Sequence, residues 1–221
     1  LVGRTGRAEV PLPGGCNIGT RPVNLHLEGL KNLGVEINQD DGKIIARAEG
    51  LSGNDIFLNY PSVGATEQLL MAAVRADGKT TIYNGAQEPE IRDLARFLTE
   101  LGADISLEGS ILSVTGKDEF GGARYEVLSD RIAAGTYMIA GVATGGQVEV
   151  ESVDPVSIKP LSLKLRKAGV KVMENERSVL VENQGRLNNL EVITLPFPGF
   201  PTDLQAPITS MLTLAKGKSV V

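Results

Sequence analysis

The stretch from Pro11 to Asn24, PLPGGCNIGTRPVN, holds the only cysteine of a 221-residue chain, Cys16, in a loop of glycine and proline. A structural cysteine is usually buried among apolar neighbours, whereas Gly14, Gly15, Asn17 and Gly19 surround this one and Arg21 follows in the same loop. An exposed thiol near a cation has its pKa open to lowering from about 8.5, so the pattern reads as a reactive cysteine. No protease-like pairing accompanies it, because the single histidine, His26, falls on the following helix, where a surface or half-buried role is expected. One His and one Cys are also too few for the common zinc sites, and no metal or cofactor is expected.

A second candidate is Asp203, in the Pro-, Phe- and Gly-rich stretch LPFPGFPTDLQAP. Its carboxylate could cap a helix or, if partly desolvated, take a proton from a substrate hydroxyl as a general base. Three apolar helices begin with polar caps: Ser62 in YPSVGAT, Ser129 or Asp130 in LSDRIAAGT, and Thr202 or Asp203 in FPTDLQ. Unpaired amides at helix starts attract anions. Ser62, Val63 and Gly64 form the best such start, since Gly64 lets a phosphate approach the backbone closely.

These residues sit on a repeated unit. The segments VNLHLEGLKNLGVEI, PEIRDLARFLTELGADI and VSIKPLSLKLRKAGVKV share a helix pattern closed by Gly34, Gly102 and Gly169, at a period of about 68 residues. Each glycine leads into an alternating hairpin, as in VEINQDDGKIIARA. A second, nearly uncharged helix follows in each copy and is expected to end at Gly78, Gly146 and Gly217. The charged helices read as outer and the apolar ones as inner. Three such units imply an α/β fold with many hairpin-paired strands, closing around a shared core.

Net charge is -5, with 22 basic and 27 acidic residues intermixed, so no basic stripe marks a nucleic-acid partner. No stretch reaches the roughly 18 apolar residues of a membrane span. A lone cysteine fits a reducing cytoplasm. The chain begins without Met and ends inside an expected strand, as an internal piece of a longer protein would.

Taken in order, LPGGCNIGTRPVNLH, PSVGATE, EPEIRDLA, DRIAAGTY and FPTDLQA resemble the UDP-N-acetylglucosamine enolpyruvyl transferases of bacterial cell-wall synthesis, over essentially the whole chain. The related shikimate-pathway enzymes share the fold but lack the GGC loop and the PTD sequence. The resemblance implies repeated βαβαββ units in inverse α/β barrel domains. Residues 1–128 then correspond to the later part of one domain and 129–221 to the start of the next, so the three copies straddle a boundary.

It also implies roles. Cys16, on a mobile loop, protonates the methylene carbon of phosphoenolpyruvate and is the point of alkylation by fosfomycin. Asp203 contacts and deprotonates the sugar 3-hydroxyl. Arg21, Pro22, Val23, Asn24 and Leu25 hold the uridine end, and Ser62, Val63 and Gly64 the diphosphate. Asn24 stands where many members have Asp, and NYPSVGAT lacks a lysine that some members carry. The implied partners are the small molecules UDP-N-acetylglucosamine and phosphoenolpyruvate, with no nucleic acid and no membrane. The family's Lys-Asn pair and flanking arginines fall outside this sequence, so this piece alone is expected to be inactive. Two other readings stand beside this one: a non-catalytic UDP-sugar-binding relative, against which Cys16, Arg21 and Asp203 together argue, and a transferase for another acceptor such as shikimate 3-phosphate.

Overall fold

The computed structural model describes residues 1–12 and 23–221. The first copy of the repeat opens with a short helix α1 (Val2–Thr5) and strand β1 (Arg7–Pro11). Outer helix α2 (Asn24–Asn32), hairpin β2 (Glu36–Asp40) and β3 (Lys43–Arg47), short strands β4 (Leu51–Ser52) and β5 (Asp55–Phe57), and inner helix α3 (Val63–Ala73) follow. The second copy runs through β6 (Ala76–Asp77), β7 (Lys79–Tyr83), α4 (Pro89–Glu100), β8 (Asp104–Glu108), β9 (Ile111–Thr115) and α5 (Arg131–Ala143). The third comprises β10 (Gln147–Glu151), α6 (Lys159–Lys167), β11 (Lys171–Glu174), β12 (Ser178–Glu182), a 3-10 turn (Thr202–Leu204) and α7 (Gln205–Leu212).

The duplication is visible in how the outer helices stop. Gly34, Gly102 and Gly169 all take positive φ, at 89°, 104° and 92°. In each case the next residue's amide reaches back to a leucine carbonyl: Val35 to Leu30, Ala103 to Leu98 and Val170 to Leu165, at 3.1, 2.9 and 3.0 Å. These are Schellman closures, in which a left-handed residue turns the chain and the flanking apolar pair is sealed inside. All six of those flanking residues are buried.

Strand order repeats as well. The sheets read β1-β3-β2, β7-β9-β8 and β10-β12-β11, with β5 added to the second beside β7. In each, the strand entering the copy pairs antiparallel with the second hairpin strand. The β2–β3 turn has Asp41 and Gly42 at φ 45° and 72°, the two positive values a tight hairpin needs to match strand twist.

The inner helices end differently from expectation. Helices α3 and α7 stop at Ala73 and Leu212, well before Gly78 and Gly217, whose positive φ instead turns the chain between short extended segments. At the end of α5 it is Gly145, with φ 76°, and not Gly146 that takes the left-handed conformation.

The three copies also do not share one core. The chain divides into two compact units, Leu1–Glu126 and Val127–Val221. One apolar cluster centres on Leu33, Leu69, Leu70, Ile82 and Leu112, the other on Met138, Leu165, Val179, Val181 and Ile208. The division cuts the second copy between its hairpin and its inner helix. In the first copy, β4 and β5 pair in parallel with β6 and β7 across α3, and in the third, bridges from Asn188 to Lys216 and from Glu191 to Val220 do the same across α7. The second copy has no strand between β9 and α5, so nothing of that kind ties its inner helix to its own hairpin. No helix among the described residues is long and apolar enough to cross a membrane.

An ion-pair cluster fastens α6 to its hairpin. Lys159 and Arg166 reach one carboxylate oxygen of Glu174 at 2.6 and 3.3 Å. Burial alone raises the Glu174 pKa, but the ammonium of Lys159 and the guanidinium of Arg166 outweigh it and hold the carboxyl below its ordinary 4.5. A depressed carboxyl contributes stability that is complete above the unfolded value and lost as pH falls through the folded one. Glu174→Gln is therefore expected to lower the melting temperature by a few degrees at pH 7, the gap to wild type closing below pH 4.5. A pH-independent gap in thermal melts would contradict this origin.

Candidate functional site

The start of α3 is built as a polar end on an enclosed helix. Ser62 caps it, its Oγ accepting from the Ala65 amide at 3.3 Å. The first bond of the helix runs from the Thr66 amide to the Ser62 carbonyl at 2.9 Å, so the amides of Val63 and Gly64 precede the intrahelical ladder. Thr66, fully buried, donates its hydroxyl to the Ser62 carbonyl at 2.7 Å and accepts from the Ala86 amide at 3.0 Å. This fixes the helix start against the loop that precedes α4. Gly64 is exposed.

Helix α2 crosses α3 closely because Gly29 lacks a side chain; a Cβ there would come within 2.5 Å of Leu69. The crossing sets the beginning of α2 beside the beginning of α3. Val23 occupies the cap position of α2, Asn24 is its exposed first residue, and Leu25 packs on the core. One residue further, His26 lies against Gly64: a Cβ on Gly64 would stand 3.3 Å from its Cε1 and 3.5 Å from its Nε2. His26 Nδ1 hydrogen-bonds to Gln68 Oε1. Among the described residues, these two side chains are the polar groups lining a cavity of about 480 Å³, walled by residues such as Val10, Val23, Leu30 and Ile44. On the same helix, burial raises the Glu67 pKa, and the nearby Glu90 and Glu88 add to it.

In the second unit, Asp130 caps α5 with one carboxylate oxygen accepting from Ile132 and Ala133 at 2.8 and 3.0 Å. Beside it, the Arg131 guanidinium lies over the Phe197 ring, 5.8 Å from its centroid, so the α5 start adjoins the loop carrying Asp203. That loop is pinned by Phe200 and Leu204, both buried, with Leu204 filling the space over Gly135 of α5.

Of the two roles open to Asp203, capping is not the one it takes. Neither it nor Thr202 caps α7 with a side chain; the chain enters that helix through the 3-10 turn capped at Pro201. Its carboxylate is exposed, because the turn is anchored by the leucine that follows it. Of the residues singled out by sequence, Val23, Asn24 and Leu25 lie at the start of α2 and Ser62, Val63 and Gly64 at the start of α3, two helix starts brought together by the contact of His26 with Gly64, while Asp203 belongs to the second unit. Cys16, Arg21 and Pro22 lie outside the described residues. Sequence reading missed the pairing of His26 with Gln68; its trace is that His26 directly follows the 21–25 segment and Gln68 lies one helical turn beyond Gly64.

The family model for EPSP synthase (3-phosphoshikimate 1-carboxyvinyltransferase) matches residues 1–221. The chain belongs to this family. Within it, the chain is 49% identical over 224 residues to UDP-N-acetylglucosamine 1-carboxyvinyltransferase 2 of Carboxydothermus hydrogenoformans, covering 100% of this chain and 54% of that protein. It is 45% identical over 222 residues to UDP-N-acetylglucosamine 1-carboxyvinyltransferase 1 of Caldanaerobacter subterraneus subsp. tengcongensis, with the same coverage. The chain thus spans about half the length of the curated relatives it matches. Among solved structures, the enolpyruvyl transferase NikO from Streptomyces tendae superposes with a TM-score of 0.83 at 21% identity, over 99% of this chain and 53% of that one. EPSP synthase from Acinetobacter baumannii gives 0.61 at 20%, over 96% and 51%. The repeated hairpin-and-helix units are therefore the enolpyruvyl transferase fold.

Gly64→Ala tests the contact at the α3 start. Its backbone is unstrained and alanine favours a helix, so the melting temperature should stay within a few degrees of wild type. The imidazole must shift by a few tenths of an ångström to admit the methyl, which should displace the His26 Cε1–H resonance. An unmoved resonance would place the ring elsewhere.

Proposed function

We infer that the protein carrying this chain transfers the enolpyruvyl group of phosphoenolpyruvate to the 3-hydroxyl of UDP-N-acetylglucosamine and releases phosphate. The observation that carries this reading is the 44–49% identity, along the whole chain, to relatives that bear the name UDP-N-acetylglucosamine 1-carboxyvinyltransferase. The residues with assigned roles fit that chemistry. Asp203 takes the hydroxyl proton, the sugar oxygen bonds to C2 of phosphoenolpyruvate, and the Cys16 thiol protonates C3, giving a tetrahedral adduct. Loss of the C–O bond to phosphate, with a proton from C3, then leaves the enol ether. Such a reaction needs a base, an acid and fixed donors around the developing charge.

On this reading Arg21, Pro22, Val23, Asn24 and Leu25 hold the uridine end, and Ser62, Val63 and Gly64 the diphosphate. The exposed position of Asp203 suits a base that loses its water when substrate covers it. The place of such a reaction is the cytoplasm, at the start of peptidoglycan assembly, and the Cys16 thiol is the point at which fosfomycin would alkylate the protein. The units Leu1–Glu126 and Val127–Val221 are then parts of two successive domains.

A second reading, transfer to shikimate 3-phosphate, is favoured by the description of the matching family model. The two are separated by phosphate release from phosphoenolpyruvate in the complete protein. Release is expected with UDP-N-acetylglucosamine and not with shikimate 3-phosphate; the reverse result would overturn the proposal. In the same assay Cys16→Asp should retain turnover and resist fosfomycin, and Cys16→Ser, lacking an acid of suitable pKa, should lose about two orders of magnitude or more in rate. Full activity of Cys16→Ser would remove the thiol from the proton-transfer step.

A further inference from the structure

We propose that Arg92 and Arg96 of α4 form a binding site for a small phosphate-bearing anion, between that helix and the β8–β9 hairpin of the first unit. The two residues stand one helical turn apart and line a cavity of about 220 Å³ together with Gln87, Leu107 and Gly109. Both are exposed, and among the described residues neither has an ion-pair partner. The nearby acidic residues are directed elsewhere. Asp93 accepts from the Tyr125 hydroxyl at 2.8 Å, and Glu88 and Glu90 lie near Glu67, whose pKa burial raises and they raise further. Glu108 alternates with Leu107 along β8 and so faces the other side of the sheet. No carboxylate among the described residues lines the cavity.

The third copy of the repeat shows how the same position is neutralised. Laying Gly102 over Gly169 without a gap puts Arg92 on Lys159, Leu107 on Glu174 and strand β9 on β12. In the third copy the Glu174 carboxylate lies between helix and hairpin and takes both Lys159, at 2.6 Å, and Arg166, at 3.3 Å. In the second copy the helix keeps its cation and adds Arg96, while the hairpin offers Leu107 where the carboxylate stood. Two like charges one turn apart destabilise a helix. The arrangement therefore costs stability unless an anion from solution takes the place that Glu174 fills in the third copy.

The cavity sets the size and charge of the ligand. At about 220 Å³ it lies below the roughly 300 Å³ at which pockets for drug-sized molecules begin, which admits a phosphate group with a few further atoms and is too small to enclose a nucleotide. Guanidinium groups meet phosphate oxygens through parallel N–H donors, and the Gln87 amide adds another donor. Ile91, Leu107 and Leu112 form an apolar wall, which strengthens the charge pairs beside it and suits the carbon end of a phosphomonoester. The ligand is thus inorganic phosphate or a short phosphomonoester. The site contains none of the residues given a role in the transfer reaction, so it stands apart from that reading.

The test uses the complete protein at fixed pH and ionic strength, with inorganic phosphate, glycerol 3-phosphate and chloride as probes. Phosphate should move the Arg92 and Arg96 Nε–H resonances, saturating at millimolar concentration, and chloride should not. This readout is local, so phosphate bound elsewhere does not enter it. The variant carrying Arg92→Gln and Arg96→Gln together should be at least as stable as wild type in chloride, because a repulsion is removed, and phosphate should raise its melting temperature by less than it raises that of wild type. Leu107→Glu, which installs the carboxylate of the third copy, should raise the melting temperature in chloride and weaken phosphate at this site by about tenfold or more. Tighter binding of glycerol 3-phosphate than of phosphate identifies a phosphomonoester as the ligand, and the reverse order identifies free phosphate.

Unmoved Nε–H resonances, equal movement by chloride, or the same phosphate-dependent stabilisation in wild type and the double variant would each overturn the inference. A double variant that melts well below wild type in chloride would do the same, by making the arginines structural. Should Leu107→Glu fail to fold, the resonance titration and the double variant still decide the matter.

Discussion

Helix α3 has Ala65, Leu69, Leu70 and Ala73 entirely out of solvent, and a helix enclosed in this way can present polar groups mainly at its ends. Much of the first unit follows from that enclosure. The segments before and after the helix must pair in parallel, β5 beside β7, to pass it across the sheet. Helix α2 must approach closely enough to cover it, which requires Gly29 opposite Leu69. The same close approach leaves His26 against Gly64. The amides that cannot be paired within the helix are thus gathered at its start, where Gly64 is exposed.

Both units meet this constraint with the same parts but divide them unequally. The second copy of the repeat gives its outer helix and hairpin to one core and its inner helix to the other. Repetition of a unit therefore does not dictate closure of the domain. What decides it is the connection between hairpin and inner helix. A short extended segment that pairs across the helix keeps a copy whole, and an unpaired one lets the chain leave. The 116–130 stretch is of the second kind.

The chain is acidic overall, with a net charge of -5, while the substrates proposed for it are anions. Local donors must then outweigh the long-range field. On the proposed reading, helix amides would do so at the α3 start, where the described residues of the first turn include no lysine or arginine. Glu67, Glu88 and Glu90 raise the requirement, because they crowd negative charge on one side of the helix.

The sequence by itself determined the local elements. The outer helices, their Gly34, Gly102 and Gly169 stops and the hairpins were legible because apolar spacing and left-handed glycines are encoded within a few residues. Ser62 was legible as a cap for the same reason, and the α5 cap was narrowed to Ser129 or Asp130, of which the structure has Asp130. Where a helix ended by tertiary demand, as at Ala73 and Leu212, the nearby glycines misled. Asp203 was visible as a candidate, but its exposure depends on Leu204 seating over Gly135, a contact between segments far apart in the chain. His26 and Gln68 carry no mutual signal in the sequence. Only the crossing of α2 over α3 joins them and turns the ring toward Gly64, since side-chain partnership across helices is set by the distance between their axes and not by the order of residues.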